Sequence, residues 1–174
     1  QMLQRSDPSI SSKVAQALKD GRFAVHALPF STETESADLE AMVRGMNISS
    51  TVNRHAGLSL PRDAKMSDVP SHSWILPTLL RNAGVDFLHI GCNPASQSPQ
   101  VPMLFWWQGP DGSKLMAMCS EKYYGTSLLP PDGWKYKTWL AIMQTNDNDG
   151  PPAPETVDKY LADLHKYAPN AKVR

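Results

Sequence analysis

Apolar positions recur along this chain with two periods, one suited to helices and one to strands. In SISSKVAQALKDG, Val14, Ala17 and Leu18 fall on one side of a 3.6-residue period, which predicts a short amphipathic helix. Ser11 or Ser12 can cap it and Gly21 can stop it. RFAVHALPF reads as a strand and leads into STETESADLEAMVRGM, where Leu39, Met42, Val43 and Met46 share one helical face. Glu33, Glu35 and Asp38 sit where the positive end of that helix dipole favours acidic groups.

The alternation continues. AKMSDV predicts a short strand, SWILPTLLRNAG a helix with Gly84 at its carboxyl side, and VDFLHIG another strand. PMLFWWQGPDGSKLMAMC reads as two strands joined at GPDGS, where Pro, Asp and Gly supply the backbone angles of a turn. TWLAIMQTND then predicts a strand, GPPAPETVDKYLADLHKY a helix with Pro at its start, and AKVR a last strand. Strands alternating with helices imply an α/β fold with a parallel sheet, either an open doubly wound sheet or part of a barrel. No repeat of fixed period occurs, and the Pro-rich NPASQSPQVP and LLPPDG are too short to act as linkers, so residues 1–174 are expected to form one unit.

In such folds the carboxyl ends of parallel strands share one face, and ligands bind there. The expected strand ends carry His26 with Glu33 and Glu35, Asp68 with His72, Asn93, and the group Asn146, Asp147 and Asp149. Asp68 can ligate a divalent metal or attack an electrophilic carbon. Asp68 or Ser71 can instead cap a helix starting near Ser73, the commoner use of Asp and Ser before an apolar periodic run. His72 can orient Asp68 or touch a ligand, and the same position suits a partly exposed surface histidine. In QTNDNDGPP a carboxylic acid can protonate a leaving group if burial raises its pKa, although Asn and Asp are also turn formers. Trp106 and Trp107 are adjacent, so on a strand one faces the core and the other is open to a sugar ring.

Composition narrows the field. Seventeen basic residues balance 17 acidic ones, which gives no electrostatic reason to expect nucleic acid or an anionic membrane surface as a partner. No apolar run approaches the length of a membrane span, and the first residues lack the basic and apolar regions of a signal peptide. Cys92 and Cys119 are too few for a disulfide framework and are not spaced as a metal knuckle.

MSDVPSHSWILPTLLRNAGVDFLHIG resembles the Asp-Pro-Phe-Gly-His-Ser segment, with its following helix and strand, of glycoside hydrolase family 38, the α-mannosidases. FAVHALPFSTETE stands where that family has a strand and acidic loop. PMLFWWQGPDGSKLMAM is similar to its Phe-x-Trp and Asp-Gly-Ser segment, and LAIMQTNDNDGP stands where a strand ends in paired carboxylates. The resemblance implies a partial (β/α)7-type barrel over residues 1–174, a piece of a zinc-dependent retaining hydrolase that cleaves an α-linked sugar from an oligosaccharide or glycoside. Asp68 would be nucleophile and zinc ligand, Asp147 the acid with Asp149 as alternative, and His72, Trp106 and Asn146 would contact substrate. Ser71 replaces the motif's Gly, and Val69-Pro70 reverses its Pro-then-aromatic order. The family's other zinc ligands, a His-x-Asp pair upstream and a His downstream, have no match in the chain and are expected outside it, so these residues alone are expected to be inactive. A non-catalytic carbohydrate-binding domain, or another metal-dependent carbohydrate-active enzyme, fits the same fold.

Overall fold

The computed structural model describes residues 7–69, 71–121, 123–145 and 149–173. The chain divides into two compact units, Gln1–Lys122 and Tyr123–Arg174.

The first unit is built on a four-stranded sheet. Its elements in chain order are α1 (Pro8–Lys19), α2 (Leu39–His55), β1 (Asp63–Asp68), α3 (Leu76–Asn82), β2 (Phe87–Cys92), β3 (Leu104–Gln108) and β4 (Lys114–Ser120). The spatial order is β1-β2-β4-β3, with β1, β2 and β4 parallel and β3 antiparallel to β4. The fold is therefore α/β, as the alternation implies, but the sheet is mixed and does not close. It amounts to only part of a barrel.

Helix starts differ from the sequence expectation where a better cap lies nearby. Asp7 caps α1 by accepting the Ser9 N–H at 2.7 Å, which leaves Ser11 and Ser12 inside the helix. Asp38 caps α2, accepting from the Ala41 N–H at 2.7 Å. α3 begins only at Leu76, with Pro77 in its first turn and no side-chain cap. Proline there has no N–H to leave unsatisfied, so it sets the start without a capping residue. Gly84 follows α3 with φ 84°, the left-handed conformation that ends helices.

Strand alternation sorts the sheet's two faces. Ala64, Met66, Leu88, Ile90, Cys92, Leu115 and Cys119 pack with Leu76 and Leu80 of α3 and with Met46 of α2 into one core. Leu76, Leu80, Leu88 and Leu115 are almost wholly buried, and each contributes about 1.5–3 kcal/mol by leaving water. The register pairs Lys65 with His89 and His89 with Met118, which places these three on the opposite face. Cys92 and Cys119 are free thiols with sulfurs 3.7 Å apart, and burial pushes Cys119 up to about 12, so it stays an unreactive thiol.

RFAVHALPF does not form the expected strand. It runs beside the outer edge of β1 with a backbone bond from Ala27 N–H to the Asp63 carbonyl (2.8 Å), and Ser31 Oγ accepts the Ser67 N–H (3.0 Å). The hairpin at GPDGS forms as expected. Gly109 N–H donates to the Ser113 carbonyl (2.9 Å), Gly112 takes φ 85°, and Asp111 accepts from Ser113 and from Thr78 of α3. A Cβ at Gly109 would stand 2.3 Å from Thr78 Oγ1, so only glycine lets the turn approach the helix this closely.

The second unit contains α4 (Pro154–Tyr167), which starts at a proline as expected. Residues 138–145 are not a strand. They run alongside Thr126, whose N–H donates to the Ile142 carbonyl (3.1 Å) and whose hydroxyl bonds to the Leu140 carbonyl and the Ile142 N–H. Trp134 packs edge-on against Tyr136 and Trp139. Residues 171–173 are likewise not in a strand.

Candidate active site

Three parallel strands deliver polar groups to their shared carboxyl end: Asp68 from β1, Asn93 just past β2, and Ser120 from β4. Asp68 and Cys92 are register partners, so Asn93 lies one residue beyond the position opposite Asp68. Asp68 takes φ 80°, and no other described non-glycine residue has a positive φ. That conformation costs an L-residue about 1 kcal/mol or more, least for Asp and Asn, and it turns the chain out of the strand.

Asn93 holds that turn. Its N–H donates to the Asp68 carbonyl at 3.3 Å and its Nδ2 donates to Asp68 Oδ1 at 2.6 Å. The Asn93 Oδ1 in turn accepts the Ala95 N–H at 2.8 Å. Asp68 is exposed, and its carboxylate engages Asn93 eight residues before α3 begins. The capping reading of Asp68 and Ser71 therefore gives way, since α3 has no side-chain cap.

The loop after β1 is braced from upstream. Thr34, almost wholly buried, accepts the Ser73 N–H at 2.7 Å and lies 3.4 Å from His72 Nδ1. His72 is half-buried, its Nε2 is buried without a partner, and burial pushes its pKa down to about 4, against a smaller opposing effect of the Val69 carbonyl. It is a neutral imidazole next to the loop that carries Asp68. Nothing in the sequence pattern marks Thr34, since its burial comes from tertiary packing alone.

His89 is not marked in the sequence either, because VDFLHIG scans as an apolar strand. It is almost wholly buried with Nε2 2.9 Å from Ser120 Oγ, and its Nδ1 has no partner. Burial, helped by the charge of Lys65, lowers its pKa to about 4. Lys65 donates to Ser67 Oγ at 2.8 Å and is itself lowered by burial. The signal available in sequence was period two: Lys65 and Ser67 alternate with Ala64 and Met66.

The other expected site residues are dispersed. Trp107 packs against the core while Trp106 is 63% exposed, as adjacent strand positions require. Trp106 pairs with Met116, which pairs with Phe87, so it lies five residues of rise from the level of Asp68 and Cys92, about 16 Å along the strands. It belongs to the opposite end of the sheet. His26 is half-buried beside β1 with Nδ1 unpartnered, and burial lowers its pKa. Glu33, Glu35 and Asp149 are exposed, and Asn146 and Asp147 lie outside the described residues.

Among the described residues no three His, Cys, Asp or Glu side chains come together as a metal site. Zinc takes three or four such donors, so Asp68 alone does not fit it. No described helix is long and apolar enough to cross a membrane.

The family model for the glycosyl hydrolases family 38 N-terminal domain matches residues 1–173. The chain belongs to that family. A crystal structure of an alpha-mannosidase from Enterococcus faecalis V583 is similar to it, with 18% identity and a TM-score of 0.55 over 92% of this chain. The match takes in 16% of that protein's length. A search of curated proteins gives no match. The family 38 resemblance of the Asp68 segment thus extends along essentially the whole chain, and the structural match supports the α/β fold.

Proposed function

We propose that this family 38 chain contributes Asp68 as the nucleophile of a retaining glycoside hydrolase acting on an α-linked sugar. The observation that carries this reading is the setting of Asp68: it ends a parallel strand on the ligand-binding side of an α/β sheet, in a left-handed backbone, and is clamped by Asn93. A carboxylate that merely finished a strand or capped a helix would need neither feature.

In the first step an Asp68 oxygen bonds to the anomeric carbon as the bond to the leaving oxygen breaks, and that oxygen takes the proton of a carboxylic acid. Asp147 is the candidate acid, with Asp149 as the alternative. Water then attacks the anomeric carbon, gives its proton to the same acid, and releases Asp68 as a carboxylate. Substrate contacts are assigned to His72 and Asn146, while Trp106, at the opposite end of the sheet, is left out of the site. Zinc held partly by Asp68 requires the remaining donors from beyond the described residues. The unit carrying Asp68 would be one part of an incomplete β/α-barrel catalytic domain.

The test is hydrolysis of aryl α-glycosides by the complete polypeptide carrying this chain, compared with Asp68→Asn. Abolished turnover with oligosaccharide binding retained is the expected result. Unchanged turnover would remove Asp68 from the chemistry, and a wild-type protein that binds oligosaccharide without hydrolysing it would be a non-catalytic carbohydrate-binding member of the family.

A further inference from the structure

The geometry points to Asn93 as the positioning residue of the reacting carboxylate, an inference that rests on the reading of Asp68 as nucleophile. Two bonds join the pair at the ends of adjacent parallel strands, one from the Asn93 backbone to the Asp68 carbonyl and one from the Asn93 amide nitrogen to Asp68 Oδ1 at 2.6 Å. The backbone bond is available to any residue except proline. The side-chain bond requires a short donor, and the amide meets a second condition as well.

That second condition is direction. The Asn93 amide is planar, with an acceptor on one side and a donor on the other. Its Oδ1 is occupied by the Ala95 N–H at 2.8 Å, so its nitrogen is turned toward Asp68. Aspartate at position 93 would keep the acceptor for Ala95 and set a second carboxylate against the first. Serine would be too short to satisfy both partners. Asparagine is thus matched to both partners, and with Oδ1 of Asp68 held, the carboxylate plane has one preferred orientation over the carboxyl end of the sheet. Reaction rates depend steeply on such placement.

The decisive experiment uses the complete polypeptide and compares Asn93→Ala, Asn93→Asp and Asp68→Asn with wild type on an aryl α-glycoside. Asn93→Ala is expected to lower kcat about 10- to 100-fold with KM held within about twofold, and Asn93→Asp to lower it further. A second readout needs no activity: the Asn93 side-chain NH2 resonances in 15N-edited NMR are expected to exchange slowly in wild type and to lose that protection in Asp68→Ala. Unchanged kcat in Asn93→Ala, alongside lost turnover in Asp68→Asn, would overturn the positioning role and leave the nucleophile standing. Unchanged kcat in both variants would overturn the nucleophile reading, and the positioning role with it. If Asn93→Ala fails to fold, Asn93→Ser carries the same comparison, and full kcat in that variant would overturn the role.

Discussion

Acid should weaken this fold above the pH at which its carboxylates titrate, and His72 and His89 are the reason. Both are neutral, His72 half-buried and His89 almost wholly buried, with pKa values of about 4 against an ordinary 6.5. Between those values the unfolded chain binds more protons than the folded one, so this contribution to stability is complete above pH 6.5 and is lost as pH falls toward 4. Each histidine costs about 2 kcal/mol at pH 5 relative to neutral pH, and about 3 kcal/mol once pH passes below the folded value. Together they remove about 4 kcal/mol at pH 5, and His26, also lowered by burial, adds in the same direction. With a urea dependence of about 2 kcal/mol per M, the unfolding midpoint should fall by roughly 2 M between pH 7.5 and pH 5. Tryptophan fluorescence in urea at the two pH values measures this shift. His89→Leu should halve the pH-dependent part whatever it does to the midpoint at pH 7.5. Equal midpoints at pH 7.5 and 5, or a His89 ring proton titrating by NMR near 6.5, would refute the reasoning.

Gly109→Ala should destabilise the first unit by about 1–3 kcal/mol, because its Cβ would meet Thr78 and neither the helix nor the hairpin can easily retreat; urea unfolding measures the loss. Leu80→Ala, at a fully buried position of α3, should cost about 2–5 kcal/mol in the same assay. Thr34→Val preserves shape but leaves the Ser73 N–H unpaired, and should cost about 1–3 kcal/mol and speed amide exchange at Ser73. Asp86, held below the usual carboxylate range by hydrogen bonds from Arg81 and Arg62, should add a further loss of stability only as pH falls below the ordinary carboxylate value. Asp86→Asn should remove that acid-range component in a pH series of urea melts.

The pattern of apolar residues carried much of the first unit. β1, β2 and the β3–β4 hairpin are short segments with strong local signals, and their partners lie nearby in sequence. Two of the three expected strands that do not form share a cause. RFAVHALPF and TWLAIMQTND are apolar enough to read as strands, but a strand requires a neighbour that pairs with its backbone. The first has one such bond to Asp63, while Ile142 in the second bonds both backbone and hydroxyl of Thr126. At the candidate site, Asp68 was legible because it ends a parallel strand, the end at which α/β sheets bind ligands. The clamp from Asn93 was not, because it depends on the register between β1 and β2. His89 was hidden within an apolar strand, and Thr34 became a loop brace only through contact with a segment 39 residues away.

Asp68 therefore owes its position to the sheet rather than to the helix that follows it. Its connection to α3 is held at both ends from elsewhere, by Thr34 reaching Ser73 and by Asn93 reaching Asp68. α3 itself starts three residues beyond Ser73 without a side-chain cap, so its first turn can fray with little leverage on the carboxylate. Moving β2 relative to β1 would displace Asn93 directly. A one-residue slip of a parallel pair reverses the faces of its side chains, and here the same register that buries Ala64 with Leu88 and Met66 with Ile90 sets Asn93 beside Asp68. Core packing and placement of the carboxylate are thus one constraint. A substitution that loosens Met66 or Ile90 should harm the geometry at Asp68 even though neither side chain belongs to the site.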